Sequence, residues 1–372
     1  MKRLPGPSSS AVSSVFCDGY PLLEHANYSK GELALAYRNK AMPLEGLRYD
    51  ITPVGMHYTL IHFGIPDLDA GKWRLHMGGE VAKSLSLGLD ELQQRPQVTL
   101  TATMECAGNG RGHLRPRSDT IPWLDSAVGT AQWTGTRLAP ILTEAGLKHS
   151  VKELLLTGHD PGVQGGEISP YQRSLSLDEA TRDDVLLVWA MNGRELEPQH
   201  GFPLRVLVPG WYGMTSVKWL DSITATSRPF DGYQMKIYRY AQGKDETGEP
   251  VRLMKPRALM IPPGWSDVQA RTRILDRGMT LLTGRAWSGR CEITRVEVST
   301  DDGENWRDAT LCDPVSEHAW RSWRYEWNAT PGEYVLRVRA TDETGAAQPD
   351  QQFWTHSGMG NNMAQRVELA VV

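Results

Sequence analysis

The sequence predicts an α+β domain over residues 21–245 and an all-β sandwich over residues 246–372, behind a lead-in at residues 1–20. The first observation is texture. Helical and strand patterns mix up to about residue 240, whereas beyond about 250 only short alternating runs recur, separated by turn signals. The second is length: 372 residues suit two domains or one large one. The third is the polar, breaker-rich stretch Ala241–Pro250, which reads as a linker between them.

The lead-in is rich in Ser, Pro and Gly. Leu89 to Leu92 reads as a short helix. Val98 to Met104 alternates with period two, so Val98, Leu100, Ala102 and Met104 share one face of a strand. Val151 to Leu156 is a second strand and Leu177 to Arg182 a short helix. Asp184 to Ala190 is a buried-strand run closed by the turn Asn192-Gly193, and Leu204 to Val208 is stopped by Pro209-Gly210. In the second region, strands are predicted over Leu281–Ala286, Ile293–Ser299, Trp323–Trp327 and Tyr334–Ala340. Turns fall at Asp301-Asp302-Gly303 and Asp342–Gly345, a spacing that suits an immunoglobulin-type sandwich.

Composition narrows the classes of function. Forty basic and 44 acidic residues give a net charge of −4, which argues against nucleic acid or an anionic membrane as the main partner. No run approaches the roughly 20 apolar residues of a membrane helix, so no membrane insertion is expected. The N-terminus lacks the apolar core of an export signal, so the chain as written reads as cytoplasmic, or periplasmic if a signal has been removed. Cys17, Cys106, Cys291 and Cys312 form no CxxC pair, and three of them read as structural. Thirteen Trp against five Phe suit cofactor pockets and wet interfaces, with core packing the simpler account of most. Trp320, Trp323 and Trp327 with Arg321 and Arg324 could stack on nucleic acid, but a sandwich strand explains them more simply. His57, His62 and His76 form no metal-binding pattern and read as surface or satisfied core residues.

The segment that carries chemistry is Met104-Glu-Cys-Ala-Gly-Asn-Gly-Arg111. A strand ends at a cysteine, a tight turn follows, and an arginine lies five residues beyond the sulfur. Such a turn aims backbone N–H groups around the thiol, and a nearby cation favours the thiolate. A thiolate so placed can ligate a soft or redox-active metal, or act as a nucleophile.

Cys-Ala-Gly-Asn-x-Arg resembles the signature of the sulfite oxidase family, molybdenum enzymes whose metal is held by one cysteine and a pyranopterin dithiolene (molybdopterin). The resemblance extends over nearly the whole chain as ordered blocks: Tyr37-Arg38-Asn39; Cys106 to Arg111; Ile121-Pro122-Trp123; Gln132 to Leu138; Met191-Asn192-Gly193; His200 to Arg205; Val208-Pro209-Gly210; Val217 to Leu220; Gly284 to Gly289; and Gln348-Pro349-Asp350. It implies a molybdopterin-binding domain followed by an immunoglobulin-like dimerisation domain, hence a homodimer. Cys106 matches the metal ligand. His200, Arg205 and Lys218 match residues that bind the pterin and its phosphate, a task suited to Arg and Lys donors. Asp160 matches a carboxylate facing the pterin, and Tyr37, Arg38, Asn39 and Lys40 fall in a cofactor-binding block. Arg38 and Arg111 match arginines of the substrate pocket, Trp123 its tryptophan and Tyr238 its tyrosine, with Tyr240 two residues away.

Two positions depart from the vertebrate and plant pattern. Lys40 follows Arg-Asn where a His is usual, and Ser357 stands where a further pocket arginine would be, with Lys40 or His356 as replacements for the lost cation. The tail Met359-Gly-Asn-Asn362 looks more like the bacterial sulfite dehydrogenase branch. The expected activity is oxidation of a small oxyanion, sulfite to sulfate, by oxygen-atom transfer. Without a CxxCH motif or a haem domain, electrons pass to a separate acceptor, cytochrome-like or oxygen. Three other readings stand beside it: oxo transfer to a different S- or N-containing substrate; a hydrolase in which His159 or His200 serves Cys106 as base; and a non-catalytic carrier or adhesion module built on the tail domain.

Overall fold

The computed structural model describes residues 35–118, 120–270 and 272–372, so the expected lead-in and Cys17 lie outside the described residues. The first half is built on β1 (Leu75–Gly79), β2 (Leu85–Leu87), β3 (Gln97–Glu105), β4 (Val128–Arg137), β5 (Glu153–Gln164), β6 (Glu167–Ser176), β7 (Leu186–Met191), β8 (Arg194–Glu195), β9 (Arg205–Leu207) and β10 (Leu220–Thr226). One sheet has the order β2-β1-β10-β5-β6. The other runs β3-β4-β7-β8, with β9 also paired to β7.

The apolar run of β7 is explained by burial on both faces. Leu187 and Trp189 pack into one core cluster, while Leu186, Val188 and Met191 pack into another. The Asn192-Gly193 turn has φ of 53° and 75°, the doubly left-handed geometry of a two-residue hairpin, and connects β7 to β8. The helix Leu138–Ala145 buries Leu138, Ile141, Leu142 and Ala145, one stripe at helical spacing, and stops at Gly146. The predicted strand at Val151–Leu156 starts at Glu153 and continues to Gln164.

The stretch read as a linker is instead closed by β11 (Arg239–Tyr240) and β12 (Glu249–Pro250), an antiparallel pair that turns residues 241–248 into a hairpin loop. Its polar composition suits a loop as well as a linker, so composition alone does not separate them.

Beyond it come β13 (Arg257–Met260), β14 (Trp265–Ser266), β15 (Arg273–Leu275), β16 (Gly278–Trp287), β17 (Ile293–Ser299), β18 (Arg307–Asp308), β19 (Thr310–Pro314), β20 (Arg321–Ala329), β21 (Gly332–Asp342) and β22 (Gln365–Val371). They form two sheets, β13-β16-β20-β19 and β14-β15-β22-β21-β17-β18. Leu282, Trp323 and Trp327 of one sheet meet Val298, Leu336 and Val338 of the other. Trp320, Trp323 and Trp327 are all buried, so they are not available to stack on nucleic acid. Cys291 and Cys312 are free and half-buried.

The two halves share a core. Trp287, Trp320 and Met359 belong to the same cluster as Leu75, Leu154 and Leu187. Arg285 donates to the carbonyls of Leu47 and Arg48 and pairs with Asp50 at 2.7 Å. Trp320 donates its Nε1–H to the Asp50 carbonyl. Among the described residues, no helix is long and apolar enough to cross a membrane.

Candidate active site

β3 delivers Cys106 to the wall of a cleft that His57, Asp160, His200, Lys218 and Tyr238 also line. The sulfur is buried, and burial pushes its thiol pKa up. The Arg111 guanidinium, the Gly108 N–H and the Trp123 side chain act in the opposite direction by stabilising the thiolate. Burial therefore outweighs the cation that the sequence suggested would favour the thiolate. No histidine is among the groups that act on this sulfur. His159 is paired with Asp221 on the surface, 3.1 Å away, and is no candidate base.

Arg111 is buried. It donates to the Gly358 carbonyl at 3.2 Å, the Thr120 hydroxyl at 3.1 Å and the Met359 sulfur at 3.2 Å. Tyr238 ends a short helix and lines the cleft. Its hydroxyl lies 3.1 Å from His62 Nε2 and hydrogen-bonds Tyr171, which donates to the Met214 carbonyl at 2.7 Å. Burial raises the Tyr238 pKa, so it is a neutral donor at pH 7.

A second group lines the same cleft. Arg205 leaves β9 buried, donates to the carbonyls of His200 and Ser216, and lies over the Trp133 ring. Burial lowers its pKa to about 10. Lys218 donates to the carbonyls of Leu60 and Gln199, and burial with Arg205 lowers its pKa to about 7. The next residue, Trp219, takes φ +49°, uncommon for a bulky side chain, and anchors its Nε1 to the Pro198 carbonyl at 2.7 Å. Asp160 is buried, and burial raises its pKa to about 7. His200 is driven by burial to about 2, so its imidazole is neutral.

The structure thus brings together Cys106, Asp160, His200, Arg205, Lys218 and Tyr238 along one cleft, with Arg111 and Trp123 against the cysteine loop. It does not bring in the block at residues 37–40. Tyr37 is 90% exposed. Arg38 is also exposed and donates to the Phe63 carbonyl. Lys40 is exposed on the Gly55 carbonyl. Asn39 is buried but structural, donating to Leu35 and accepting from the Ile61 N–H. The segment 57–62 forms this wall instead. His57 and His62, read from sequence as bland, both line the cleft, and burial lowers each to about 4. His62, and not Arg38, stands beside Tyr238. Tyr240 faces Lys255 and Phe353 instead of the cleft. Neither replacement cation reaches the site, because Lys40 is held by the Gly55 carbonyl and His356 is exposed, and the Ser357 hydroxyl turns to the Arg239 carbonyl at 3.4 Å.

Arg173 is a further miss. It is fully buried over the Tyr238 ring and bonded only to the carbonyls of Gln234 and Val251. No motif marks it, because its strand position is ordinary for a surface arginine. Arg111, Arg173, Arg205 and Lys218 are thus four enclosed cations, and none of them forms an ion pair among the described residues. Buried charges without partners are costly, so the arrangement calls for an anionic ligand. Asp160 Oδ1, Arg205 Nε and His57 Nε2 are buried in this wall with no hydrogen-bond partner. Donors for a phosphate, an acceptor for ring N–H groups and a thiol together fit molybdopterin.

Residues 62–234 match the oxidoreductase molybdopterin-binding domain, and residues 266–372 the Mo-co oxidoreductase dimerisation domain. Sulfite oxidase of Gallus gallus is 32% identical over 343 residues, covering 83% of this chain and 71% of that protein. The chain belongs to the sulfite oxidase family. The mitochondrial sulfite oxidase of Rattus norvegicus is 32% identical over 341 residues, covering 87% of this chain. This chain spans 62% of that relative's length. A nitrate reductase [NADH] of Hordeum vulgare is 29% identical over 351 residues, 86% of this chain and 38% of its own. Among solved structures, the sulfane dehydrogenase SoxCD from Paracoccus pantotrophus covers 100% of both chains with a TM-score of 0.77 and 25% identity. As a member of this family the chain carries a molybdopterin-binding domain ahead of a dimerisation domain.

Proposed function

We propose that the protein oxidises sulfite to sulfate and passes the electrons to a separate acceptor. The observation that carries this reading is Arg111, an enclosed cation with no carboxylate partner among the described residues, set beside Cys106 at the end of the cleft. The balance is sulfite plus water giving sulfate, two protons and two electrons. Molybdenum with its pterin, when bound, supplies the oxygen-atom and two-electron chemistry.

In this reading Cys106 holds the metal, and the Trp123 side chain and Gly108 N–H stabilise its sulfur as a thiolate. Arg205 and Lys218 bind the cofactor's phosphate, and Asp160 accepts from its ring. His200 serves as a neutral partner. Arg111 binds the oxyanion and is itself fixed by Gly358 and Met359. Tyr238 offers its neutral hydroxyl as a donor to the substrate, while its contacts with His62 and Tyr171 fix its position. The dimerisation domain supports a homodimer.

A second reading is oxidation of a sulfane sulfur, the chemistry named for the SoxCD enzyme. It is favoured by the substrate end: Arg38 is absent from the cleft, Ser357 carries no charge and His62 is neutral, which leaves a lower positive charge than a dianion would use. Metal analysis beside acceptor-reduction assays separates the two. About one molybdenum per chain with sulfite turnover is expected. Molybdenum with turnover on a sulfane compound alone would replace sulfite as the substrate, and absence of molybdenum from a host that makes the cofactor would remove both readings.

A further inference from the structure

The loop that carries Cys106 is held from outside its own domain. Glu105, next to the ligand, is fully buried and pairs with Arg257 of β13 at 2.9 Å, both side chains being 1% exposed. Glu105 also accepts from Trp287 Nε1 at 2.9 Å and from Asn109 Nδ2 at 2.9 Å. Arg257 reaches past it to the carbonyls of Asn109 and Asn361. The tail then grips the other side. Gly360 N–H donates to the Ala107 carbonyl at 2.7 Å, and Asn361 Nδ2 to the Gly110 carbonyl at 2.9 Å. Gly110 sits at φ +82°, where a Cβ would collide with the Asn361 carbonyl. Gly358 and Met359 fix Arg111, and Gly358 itself has no room for a side chain against that arginine. The tail is rigid in its own right: Thr355 Oγ1 bonds both the N–H and the carbonyl of Met359, and Asn361 Oδ1 accepts from Phe353.

We propose that Glu105, Arg257 and Asn361 are positioning residues, through which the second domain sets the place of the Cys106 sulfur and of the Arg111 guanidinium. The metal site is then incomplete without that domain, whose role extends beyond subunit pairing. A fully buried ion pair is weak evidence for stability in itself, because removing two charges from water offsets their attraction. What it supplies here is geometry: one guanidinium fork spans a carboxylate and two carbonyls on the loop and the tail. The inference rests on Cys106 as the functional group but not on sulfite as the substrate.

The test uses the full-length chain, as wild type and as Asn361→Ala, Glu105→Gln and Arg257→Lys. The last keeps the charge beside Glu105 while losing the fork, and covers a Glu105→Gln chain that fails to fold. Arg285→Lys is the control: it is a buried interdomain arginine whose bonds go to residues 47–50 and Ser322 and not to the loop. Three quantities are read: thermal stability, the alkylation rate of Cys106 in cofactor-free protein mapped by mass spectrometry, and the electron paramagnetic resonance spectrum of half-reduced holoenzyme. Alkylation is expected to rise at least fivefold, and the g-values to shift, in the three loop variants. Arg285→Lys lowers the melting temperature and moves neither. Loop variants that lose stability with unchanged alkylation and spectrum would overturn the proposal, as would a control that moves as much as they do. A wild type without molybdenum would count against the cofactor reading alone, because the alkylation comparison still decides this one.

Discussion

The two ends of the cleft are built differently. Asp160, His200, Arg205 and Lys218 all come from the first domain, and neither Arg205 nor Lys218 has a carboxylate partner among the described residues, so their charge remains directed at a ligand. Cys106, Arg111 and Tyr238 sit at the other end, where the loop and its arginine are fixed by the tail of the second domain. The first end is suited to a constant cofactor. The second can change its substrate through His62, which lines the cleft, and Met359, which contacts Arg111, without disturbing the first.

The largest expected effect comes from the ligand itself. Cys106→Ser keeps the volume but replaces a soft thiolate with a hard, weakly acidic hydroxyl. Turnover should fall by at least about 10³-fold while the circular dichroism spectrum and melting temperature stay near wild type. Turnover near wild type would remove Cys106 as the metal ligand.

Substitution of arginines tests the contrast within the substrate end. Arg111→Gln removes a charged hydrogen bond worth about 1.5–3 kcal/mol, which corresponds to roughly a 10- to 150-fold rise in the KM for an anionic substrate. Arg38→Gln, at an exposed side chain on the Phe63 carbonyl, should leave KM within about twofold. The reverse order would return Arg38 to the pocket. Tyr238→Phe removes the hydroxyl that faces His62 and should lower kcat about 10- to 100-fold with a smaller change in KM. A rise in KM with kcat unchanged would recast the tyrosine as a binding group alone.

The fold and the cofactor end were legible because each rests on local pattern. β3 alternates, β7 is continuously apolar, and Asn192-Gly193 needs two left-handed residues; the family blocks around His200 and Lys218 lie close in sequence to the strands that place them. The substrate end was less legible because it is assembled from distant segments. Tyr37-Arg38-Asn39 matches a motif by residue type, yet the wall it was expected to form is supplied by residues 57–62. His62 is marked only by its neighbours Tyr171 and Tyr238, more than 100 residues away in sequence. Arg173 and Arg257 are ordinary charged positions in strands, and only packing shows that each is enclosed. The hairpin at residues 239–250 looks like a linker in sequence because a polar loop and a linker share one composition.

The smallest effect tests the cofactor end through pH. Burial raises Asp160 to about 7 from an ordinary value of 3.8, so between those values the folded chain holds a proton that the unfolded chain has lost. Its contribution to stability therefore falls as pH rises through that window, and the penalty is complete above about pH 7. Lys218 acts above that window. Its pKa of about 7 against an ordinary 10.5 leaves the unfolded chain with more protons, so stability recovers from pH 7 upward. Asp160→Asn removes the carboxylate's share. The cofactor-free variant should gain about 1–3 kcal/mol over wild type at pH 8, less than the full shift because relaxation and water entry around the charge offset part of the burial penalty, and nothing at pH 4. Urea unfolding at the two pH values measures the difference. An advantage independent of pH would show that the carboxylate is solvated in the folded chain, and the case for a cleft held ready for a cofactor's ring donors would lose its acceptor.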